Sequence, residues 1–369
     1  MSSRSRIATA AFLAGLAWLP ALPAAAQSPA KLQKVATFDH QVTGVAVSED
    51  GRVFVNFPRW TEDTAVSVAE VRDGRLTPFP DQAWNGWRNA KKDEVTPNDH
   101  WVCVQSVVAD GRGSLWVLDP AAPAMEGVVK GGPKLVRIDL KTDKVTRVYP
   151  FDERVAPQGT YLNDVRFSPD GKWGYLTDSG RGAILVIDLE SGDIRRVLDG
   201  VTSTQAEKGV MVHVDGKPLR RPDGKAPSFA ADGIALSTDG ETLYWQSISA
   251  YTLYSIPTAA LRDPNLQTPQ LEAQVKKAGG TVIADGHWIS RKGQYFITSP
   301  EDSSVKLREA EGRLVNAVQD KKLRWPDSMA EGPDGTIYVT GSHIPDNRMF
   351  RVNAPVATKT ELWKFMPSR

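Results

Sequence analysis

The chain of 369 residues repeats one short pattern six times. Each copy has a polar residue, a small or polar residue directly after it, a hydrophobic run, and a turn glycine eight positions after the first residue. The turn glycines are Gly51, Gly113, Gly171, Gly240, Gly293 and Gly335. An apolar or aromatic strand pattern follows each glycine, as in Leu115-Trp116-Val117. A repeated strand–turn–strand unit constrains the architecture strongly, because each copy must bury its apolar faces against its neighbours.

The spacing of the copies predicts the fold. Consecutive turn glycines lie 62, 58, 69, 53 and 42 residues apart. A blade of four short antiparallel strands needs about 40 to 50 residues, so the longer spacings indicate inserted loops. The sequence therefore predicts an all-β fold: a six-bladed β-propeller with inserted loops and one short helical insertion. The stretch 32–38 reads as an extra strand before the first copy, and it could complete the last blade.

Three insertions interrupt the repeat. Residues 81–101 carry Trp84 and Trp87 with little strand character, and residues 201–230 contain a predicted hairpin around Asp215-Gly216. Residues 257–280 contain the predicted helix, with Thr268 as its N-cap and Pro269 at its first position. Long loops on a rigid scaffold often carry binding function, but they can also simply seal the open face of a propeller.

The N-terminal segment predicts export. Arg4 and Arg6 precede an Ala- and Leu-rich run, and Ala24-Ala25-Ala26 is a small-residue cleavage site. We expect residues 1–26 to be a signal peptide and residues 27–369 to form a single propeller domain in the periplasm or outside the cell. No later segment is apolar enough to cross a bilayer, so no stable membrane insertion is expected after the signal is removed.

Charge and cysteine content exclude some functions. The formal charge of the whole chain is +1, and removal of the two signal arginines gives +1 − 2 = −1. A chain without a basic excess is not expected to bind nucleic acid. Cys103 is the only cysteine, which excludes an intramolecular disulfide. The sequence also contains no Gly-x-Ser-x-Gly, phosphate-binding loop or His-Glu-x-x-His motif.

The polar residue of each copy is the candidate site. In a propeller the innermost strand of each blade starts at one rim of the central channel, so equivalent positions form a ring there. This predicted ring consists of Thr43, Gln105, Asn163, Asp232, Asp285 and Asp327. Three carboxylates in a confined space repel one another and raise each other's pKa. A bound cation would relieve the repulsion, either Ca²⁺ with its preference for oxygen ligands or an organic ammonium. Alternatively, these residues make local turn hydrogen bonds or hold only water.

Five stretches occur in an order that resembles a known family. They are GRVFVNFPRW at 51–60, LWVLD at 115–119, YLTDS at 175–179, ADGIALS at 231–237 and LYSI at 253–256. In this order they resemble the Yellow and major royal jelly protein family, which includes dopachrome-conversion-related proteins and a bacterial branch. The resemblance implies a six-bladed propeller, with either amine binding at the channel mouth or a dopachrome-tautomerase-like isomerase activity. The chain lacks the paired cysteines of animal members, and the resemblance transfers no catalytic residue.

The polar ring itself has a second resemblance. It is similar to the ring of the gluconolactonase and senescence-marker-protein propellers, in which Glu, Asn, Asn and Asp hold a divalent metal. Asn163 and Asp232 match that pattern, which implies them as metal ligands. Thr43 stands where Glu is expected, and Gln105 stands where an Asn is expected.

These observations give one leading interpretation and two alternatives. In the leading one, the exported propeller binds a small polar or aromatic, amine-like molecule at the channel mouth through the polar ring. Trp84 and Trp87 would cover the ligand by cation–π contact, and Asp232 would be the base of any isomerase or tautomerase reaction. The alternatives are a divalent-metal-dependent lactonase and a protein-interaction scaffold with an unidentified protein partner. The residues alone leave open whether the protein is catalytic.

Overall fold

The computed structural model describes residues 30–368, which form six four-stranded antiparallel sheets and one small hairpin. The first strand, β1 (Gln33–Phe38), is the outer edge of the last blade. The first blade contains β2 (Val45–Val47), β3 (Val53–Asn56), β4 (Val68–Arg72) and β5 (Arg75–Pro78). The second contains β6 (Ser106–Ala109), β7 (Ser114–Asp119), β8 (Lys134–Asp139) and β9 (Lys144–Pro150). The third contains β10 (Leu162–Phe167), β11 (Trp173–Asp178), β12 (Ala183–Asp188) and β13 (Ile194–Val197).

The remaining elements complete the ring. A hairpin of β14 (His213–Val214) and β15 (Lys217–Pro218) precedes the fourth blade. That blade contains β16 (Ala231–Leu236), β17 (Thr242–Ser247), β18 (Thr252–Pro257) and β19 (Lys276–Gly280). The fifth contains β20 (His287–Ile289), β21 (Tyr295–Ser299), β22 (Ser304–Arg308) and β23 (Leu314–Gln319). The sixth contains β24 (Pro326–Glu331), β25 (Ile337–Gly341) and β26 (Thr360–Phe365), followed by β1. The inner strands β2, β6, β10, β16, β20 and β24 contact one another in a closed ring.

The predicted six-bladed propeller is confirmed, and the structure settles how it closes. Strand β1 pairs antiparallel with β26, with Phe38 opposite Thr360. The two ends of the described chain thus share one sheet, which leaves no gap between the last blade and the first. The expected signal peptide, residues 1–26, lies outside the described residues. No helix within residues 30–368 has the length and apolar character needed to span a membrane.

The helical insertion consists of two short helices, where the sequence predicted one. They are α1 (Thr258–Arg262) and α2 (Thr268–Glu272), both between β18 and β19. The N-cap of α2 is Gln267, not Thr268, because the side chains of Gln267 and Gln270 form a reciprocal capping box. Short 3₁₀ turns occupy Trp84–Gly86, Asn89–Lys91, Pro123–Met125, Thr202–Thr204 and Ile344–Asp346.

The core lies between the faces of neighbouring blades. For example, Trp116 of β7 packs with Leu162 of β10 and Leu185 of β12, and Trp245 of β17 packs with Ile184 of β12. These side chains are fully or almost fully buried. Burial of apolar surface at about 25 cal/mol per Å² is the main force that holds one blade against the next.

Glycine directly follows the ring residues Asp232 and Asp285 because neighbouring inner strands approach each other closely there. A Cβ atom on Gly233 would lie 2.3 Å from the carbonyl oxygen of Asp285, and one on Gly286 would lie 2.0 Å from that of Asp327. No side chain fits at either distance. Glycine therefore lets the ring residues of the fourth, fifth and sixth blades approach one another closely.

Candidate functional site

A cavity of about 560 Å³ occupies the end of the channel at which the inner strands begin. Five of the six predicted ring residues line it: Gln105, Asn163, Asp232, Asp285 and Asp327. Its outer end is closed by residues 221–223 and Phe229, from the loop between the third and fourth blades, and by residues 348–350, from the loop between β25 and β26 of the sixth blade. The insertion at 201–230 therefore contributes to the wall of the cavity.

Three buried carboxyl groups form the floor of this cavity, which we call the acid floor: Asp232, Asp285 and Asp327. Their side chains are almost completely buried, with residue exposures of 2%, 8% and 5%. Within residues 30–368 no Lys, Arg or His side chain forms an ion pair with any of them. A buried carboxylate without a cationic partner has an unfavourable free energy, so these groups resist ionisation.

Burial is the main cause of the altered acidity of the acid floor. It raises the pKa of Asp232 well above its usual value, and the charges of Asp285 and Asp327 raise it further. Burial and the charge of Asp285 likewise raise the pKa of Asp327. Burial raises the pKa of Asp285 to about 6, against the hydrogen bond from Trp325. Because the three groups interact, they titrate as a coupled set and not independently.

Neighbouring donors orient the three carboxyl groups. Nδ2 of Asn163 donates to Oδ2 of Asp232 at 2.7 Å, across the boundary between the third and fourth blades. Nε1 of Trp325 donates to Oδ2 of Asp285 at 2.6 Å. The hydroxyl of Ser328 donates to Oδ1 of Asp327 at 3.2 Å. Each carboxyl group thus has a fixed position but keeps capacity for a further donor.

Another part of the lining is a chain of neutral hydrogen-bonding groups. Nε1 of Trp60 donates to the hydroxyl of Tyr161 at 2.6 Å, and that hydroxyl donates to Oε1 of Gln105 at 2.9 Å. Burial raises the pKa of Tyr161 well above its usual value, so the phenol stays neutral. The cavity therefore has an acidic floor, a neutral wall, and the aromatic rings of Trp60 and Trp325 in its lining.

Arg324 connects the two loops that close the cavity. Its guanidinium makes two contacts of 3.1 Å with the carboxylate of Asp215, in the hairpin of β14 and β15. The same group also binds both oxygens of Asp346, which lies two positions before the lining residues 348–350. A bidentate arginine–carboxylate pair fixes geometry as well as charge. We call this cluster the roof latch.

Thr43, the remaining ring residue, lies outside the cavity lining. Its side chain is fully buried, and its hydroxyl donates to the carbonyl oxygen of Gln105 at 3.2 Å and accepts from Nδ2 of Asn56 at 2.9 Å. Thr340 of the sixth blade donates to the Thr43 carbonyl at 2.9 Å. Thr43 therefore joins the first blade to its two neighbours.

The two predicted loop aromatics also lie away from the cavity. Trp87 is almost fully buried against Val102 and Ala121. Trp84 packs on Trp101 with ring centroids 4.4 Å apart. Neither lines the cavity, because the 81–101 insertion packs against the first and second blades. The aromatic rings in the lining are those of Trp60, Tyr161, Phe229, Trp325 and Phe350.

The sequence held a signal for two of the aromatic residues that were missed. Tyr161 and Trp325 each lie two positions before a ring residue, Asn163 and Asp327. Both directly precede the first residue of the inner strand of their blade, so an aromatic side chain at this offset lies at the end of the channel where the strands begin. Trp60 lies in a loop, and nothing in its sequence neighbourhood indicates its position.

The residues present do not fit the four-ligand metal site of the gluconolactonase type. Thr43 replaces the expected Glu, and its hydroxyl is already used between blades. Asn163 binds Asp232 through its amide nitrogen, not its oxygen. Nowhere in residues 30–368 do three or more His, Cys, Asp or Glu side chains come together with the spacing of a metal site.

The fold and the cavity define a six-bladed propeller with an acidic cavity at one channel mouth. The sequence profile of the major royal jelly proteins matches residues 102–346. The chain therefore belongs to the major royal jelly protein family, which confirms the resemblance noted in the sequence. No curated protein sequence matches the chain.

Solved structures confirm the fold. A gluconolactonase from Xanthomonas campestris superposes with a TM-score of 0.55 at 14% identity, covering 92% of this chain and 90% of that one. Calcium-binding regucalcin from Agrobacterium tumefaciens superposes with a TM-score of 0.53 at 13% identity. The match covers 91% of this chain and 96% of that one. A luciferin-regenerating enzyme superposes with a TM-score of 0.53 at 10% identity. The match covers 91% of this chain and 95% of that one. At such identities the likeness concerns the fold and not the chemistry.

Proposed function

We propose that the protein binds a small aromatic molecule carrying a cationic amino group in the cavity at the channel mouth. The observation that carries this proposal is the acid floor: three buried carboxyl groups without a cationic partner among the described residues. An ammonium group supplies the missing positive charge and three N–H donors. Desolvated carboxylates interact with such a group more strongly than exposed ones do.

The aromatic residues in the cavity lining support the proposal that the ligand is aromatic. Trp60 and Trp325 lie in the cavity wall with their indole nitrogens already bonded to the protein. Their ring faces are therefore the parts that contact a ligand, through apolar contact and cation–π attraction. The cavity volume of about 560 Å³ is within the usual range for small-molecule sites.

An isomerase reaction would need a proton acceptor and a proton donor side by side. Asp232 and Asp285 affect each other's acidity, and burial raises the pKa of Asp285 to about 6. The pair can hold one proton between its two carboxyl groups at neutral pH. Asp285 then takes the role of base that the sequence suggested for Asp232, and Asp232 is the proton donor.

The test compares amines with neutral analogues of the same shape. Isothermal titration with benzylamine and tyramine should show binding, whereas benzyl alcohol should bind at least tenfold more weakly. The variants Asp285→Asn and Asp327→Asn should lose amine affinity, and the exposed turn residue variant Asp193→Asn should not. Equal binding of benzylamine and benzyl alcohol would contradict the proposal.

The same preparation separates the alternative functions. A metal-dependent lactonase would lose lactone hydrolysis and thermal stability after dialysis against EDTA, and Ca²⁺ or Zn²⁺ would restore both. We expect neither effect, because Thr43 stands in place of the expected Glu and its hydroxyl already bonds Gln105 and Asn56. If amines, lactones and divalent ions all leave the melting temperature unchanged, a protein-interaction scaffold becomes the better interpretation.

A further inference from the structure

The outer part of the cavity has the opposite charge to its floor. Arg221 and Arg348 both line the cavity, and both are exposed. They belong to the two different loops that close it. The third charged residue of this outer part, Asp223, is also exposed and has its own cationic neighbour, since Lys225 Nζ lies 3.8 Å from Oδ2 of Asp223.

The two arginines differ from their neighbours along the chain. Arg351 is paired with Asp346 at 2.7 Å, and Arg220 donates to the carbonyl of Gly224 at 2.9 Å. Arg348 uses its Nε to bond the carbonyl of Ala354 at 2.9 Å. Within residues 30–368 neither Arg348 nor Arg221 has a carboxylate within ion-pair distance. Their guanidinium groups therefore keep N–H donors for an anion that enters the mouth.

Apolar side chains line the cavity together with the acidic and the basic groups. Ile248, Phe229, Met349 and Phe350 line the cavity together with Trp60 and Trp325. A molecule that contacts both the buried acid floor and the exposed arginines must place its apolar body against these side chains. Its two charges must then lie at opposite ends of that body, since the carboxyl groups are buried and the guanidinium groups are exposed.

We propose that the cavity selects a bipolar aromatic ligand, with a cationic amino group at one end and a carboxylate or similar anion at the other. The amino group contacts the acid floor, and the anion contacts Arg221 and Arg348 at the mouth. This inference rests on the proposed amine binding and adds the second charge and its position. It predicts discrimination against amines of the same shape that lack the anion.

The experiment compares ligands that differ only in one charge. Binding of 4-(aminomethyl)benzoate and of its methyl ester is measured by isothermal titration, because the ester keeps the amine and removes the anion. A second pair, an amino acid and its methyl ester built on biphenyl instead of benzene, has a longer distance between amine and anion. It tests the case in which the arginines lie farther from the acid floor. The zwitterion of at least one pair should bind about threefold to tenfold more tightly than its ester, the range for partly exposed charge-assisted contacts. Added salt should reduce this ratio.

Matched variants assign the effect to the two arginines. The double variant Arg221→Gln, Arg348→Gln should bring the zwitterion to the affinity of its ester while the affinity of the ester stays unchanged. The control Arg220→Gln, which changes the adjacent arginine outside the cavity lining, should keep the wild-type ratio. Circular dichroism and melting temperature establish that each variant is folded.

The outcomes separate this inference from the proposed function. Equal binding of zwitterion and ester at both lengths overturns the inference and leaves amine binding intact. A ratio that survives in the double variant also overturns it. If 4-methylbenzoate binds as tightly as 4-(aminomethyl)benzoate, the acid floor does not recognise the amino group and the proposed function is wrong. If no amine binds at all, both are wrong.

Discussion

The indole N–H of Trp325 donates a 2.6 Å hydrogen bond to Oδ2 of Asp285, and this contact joins the acid floor to the loops above it. The Trp325 ring packs with Val212, Leu219 and Ile344, which belong to those loops or border them. The backbone of Trp325 has φ +49°, a left-handed conformation that non-glycine residues rarely adopt. Such local strain persists only where surrounding contacts hold it, and it is often found at functional sites.

Removing this hydrogen bond should change the acidity of the floor. In Trp325→Phe the carboxylate of Asp285 loses the donor that opposes the effect of burial, so the pKa of Asp285 should rise above its value of about 6. Amine binding needs an ionised floor, so the midpoint of benzylamine affinity against pH should move up by about one unit. Titrations across the pH range measure this midpoint.

Trp363→Phe is the matched control for that variant. The indole nitrogen of Trp363 is also buried, but it has no hydrogen-bond partner in residues 30–368. Its replacement removes an N–H without removing a hydrogen bond, so the midpoint should stay where it is in the wild type. An equal shift in both variants would show that repacking, not the Trp325 N–H, causes the change.

Neutralising one carboxyl group of the floor should stabilise the protein at alkaline pH. Burial raises the pKa of Asp327 in the folded chain above its unfolded value. The folded state therefore binds more protons, and its stability falls as pH rises from the unfolded pKa through the folded one. Asp327→Asn removes this loss, so its free energy of unfolding at pH 8 should exceed that of the wild type by about 1–2 kcal/mol.

Urea unfolding at pH 5 and pH 8 measures the difference. The advantage of Asp327→Asn should be smaller at pH 5, because a larger fraction of the wild-type carboxyl group is protonated there than at pH 8. The exposed variant Asp193→Asn should show no such pH dependence. A destabilised Asp327→Asn at both pH values would mean that the carboxylate contributes an attractive interaction to the fold.

Breaking the roof latch should loosen two loops at once. Arg324→Met removes the pairs with Asp215 and Asp346 but keeps much of the apolar stem of the side chain. Amide hydrogen exchange should then speed up about tenfold or more in 210–224 and 344–354, with little change in the blade strands. Arg313→Met, which removes only the exposed pair with Glu309, is the control. Faster exchange in only one of the two loops would contradict the latch.

The most costly single substitution is expected outside the cavity lining, at a buried ion pair. Nζ of Lys134 contacts Oδ2 of Asp119 at 2.9 Å, and both side chains are essentially inaccessible. Burial lowers the pKa of Lys134, and the Asp119 charge opposes that effect. Lys134→Met leaves a buried carboxylate without its cation and should cost about 3–5 kcal/mol of unfolding free energy. The exposed Lys359→Met should change stability by less than about 0.5 kcal/mol in the same denaturant titration.

Much of the architecture could be predicted from the sequence because its signals are local. An apolar strand after each turn glycine and a polar residue eight positions earlier recur in every blade, and each depends only on neighbouring residues. The closure by β1 and the cap of α2 could not be predicted in the same way. Strand β1 pairs with a strand more than 300 residues away, and the cap depends on one reciprocal pair of side chains.

The candidate site was likewise determined partly by local sequence signals and partly by tertiary contacts. The sequence by itself determined a repeated ring of polar residues, half of them Asp, and with it the acidic character of the channel mouth. Only the tertiary structure decided that Thr43 joins blades, that Trp84 and Trp87 pack away from the cavity, and that Trp60, Tyr161 and Trp325 line it. A repeat places the equivalent ring positions at the same level along the propeller axis. The direction of a loop side chain, and the hydrogen bonds that use up a hydroxyl, depend on contacts between distant segments of the chain.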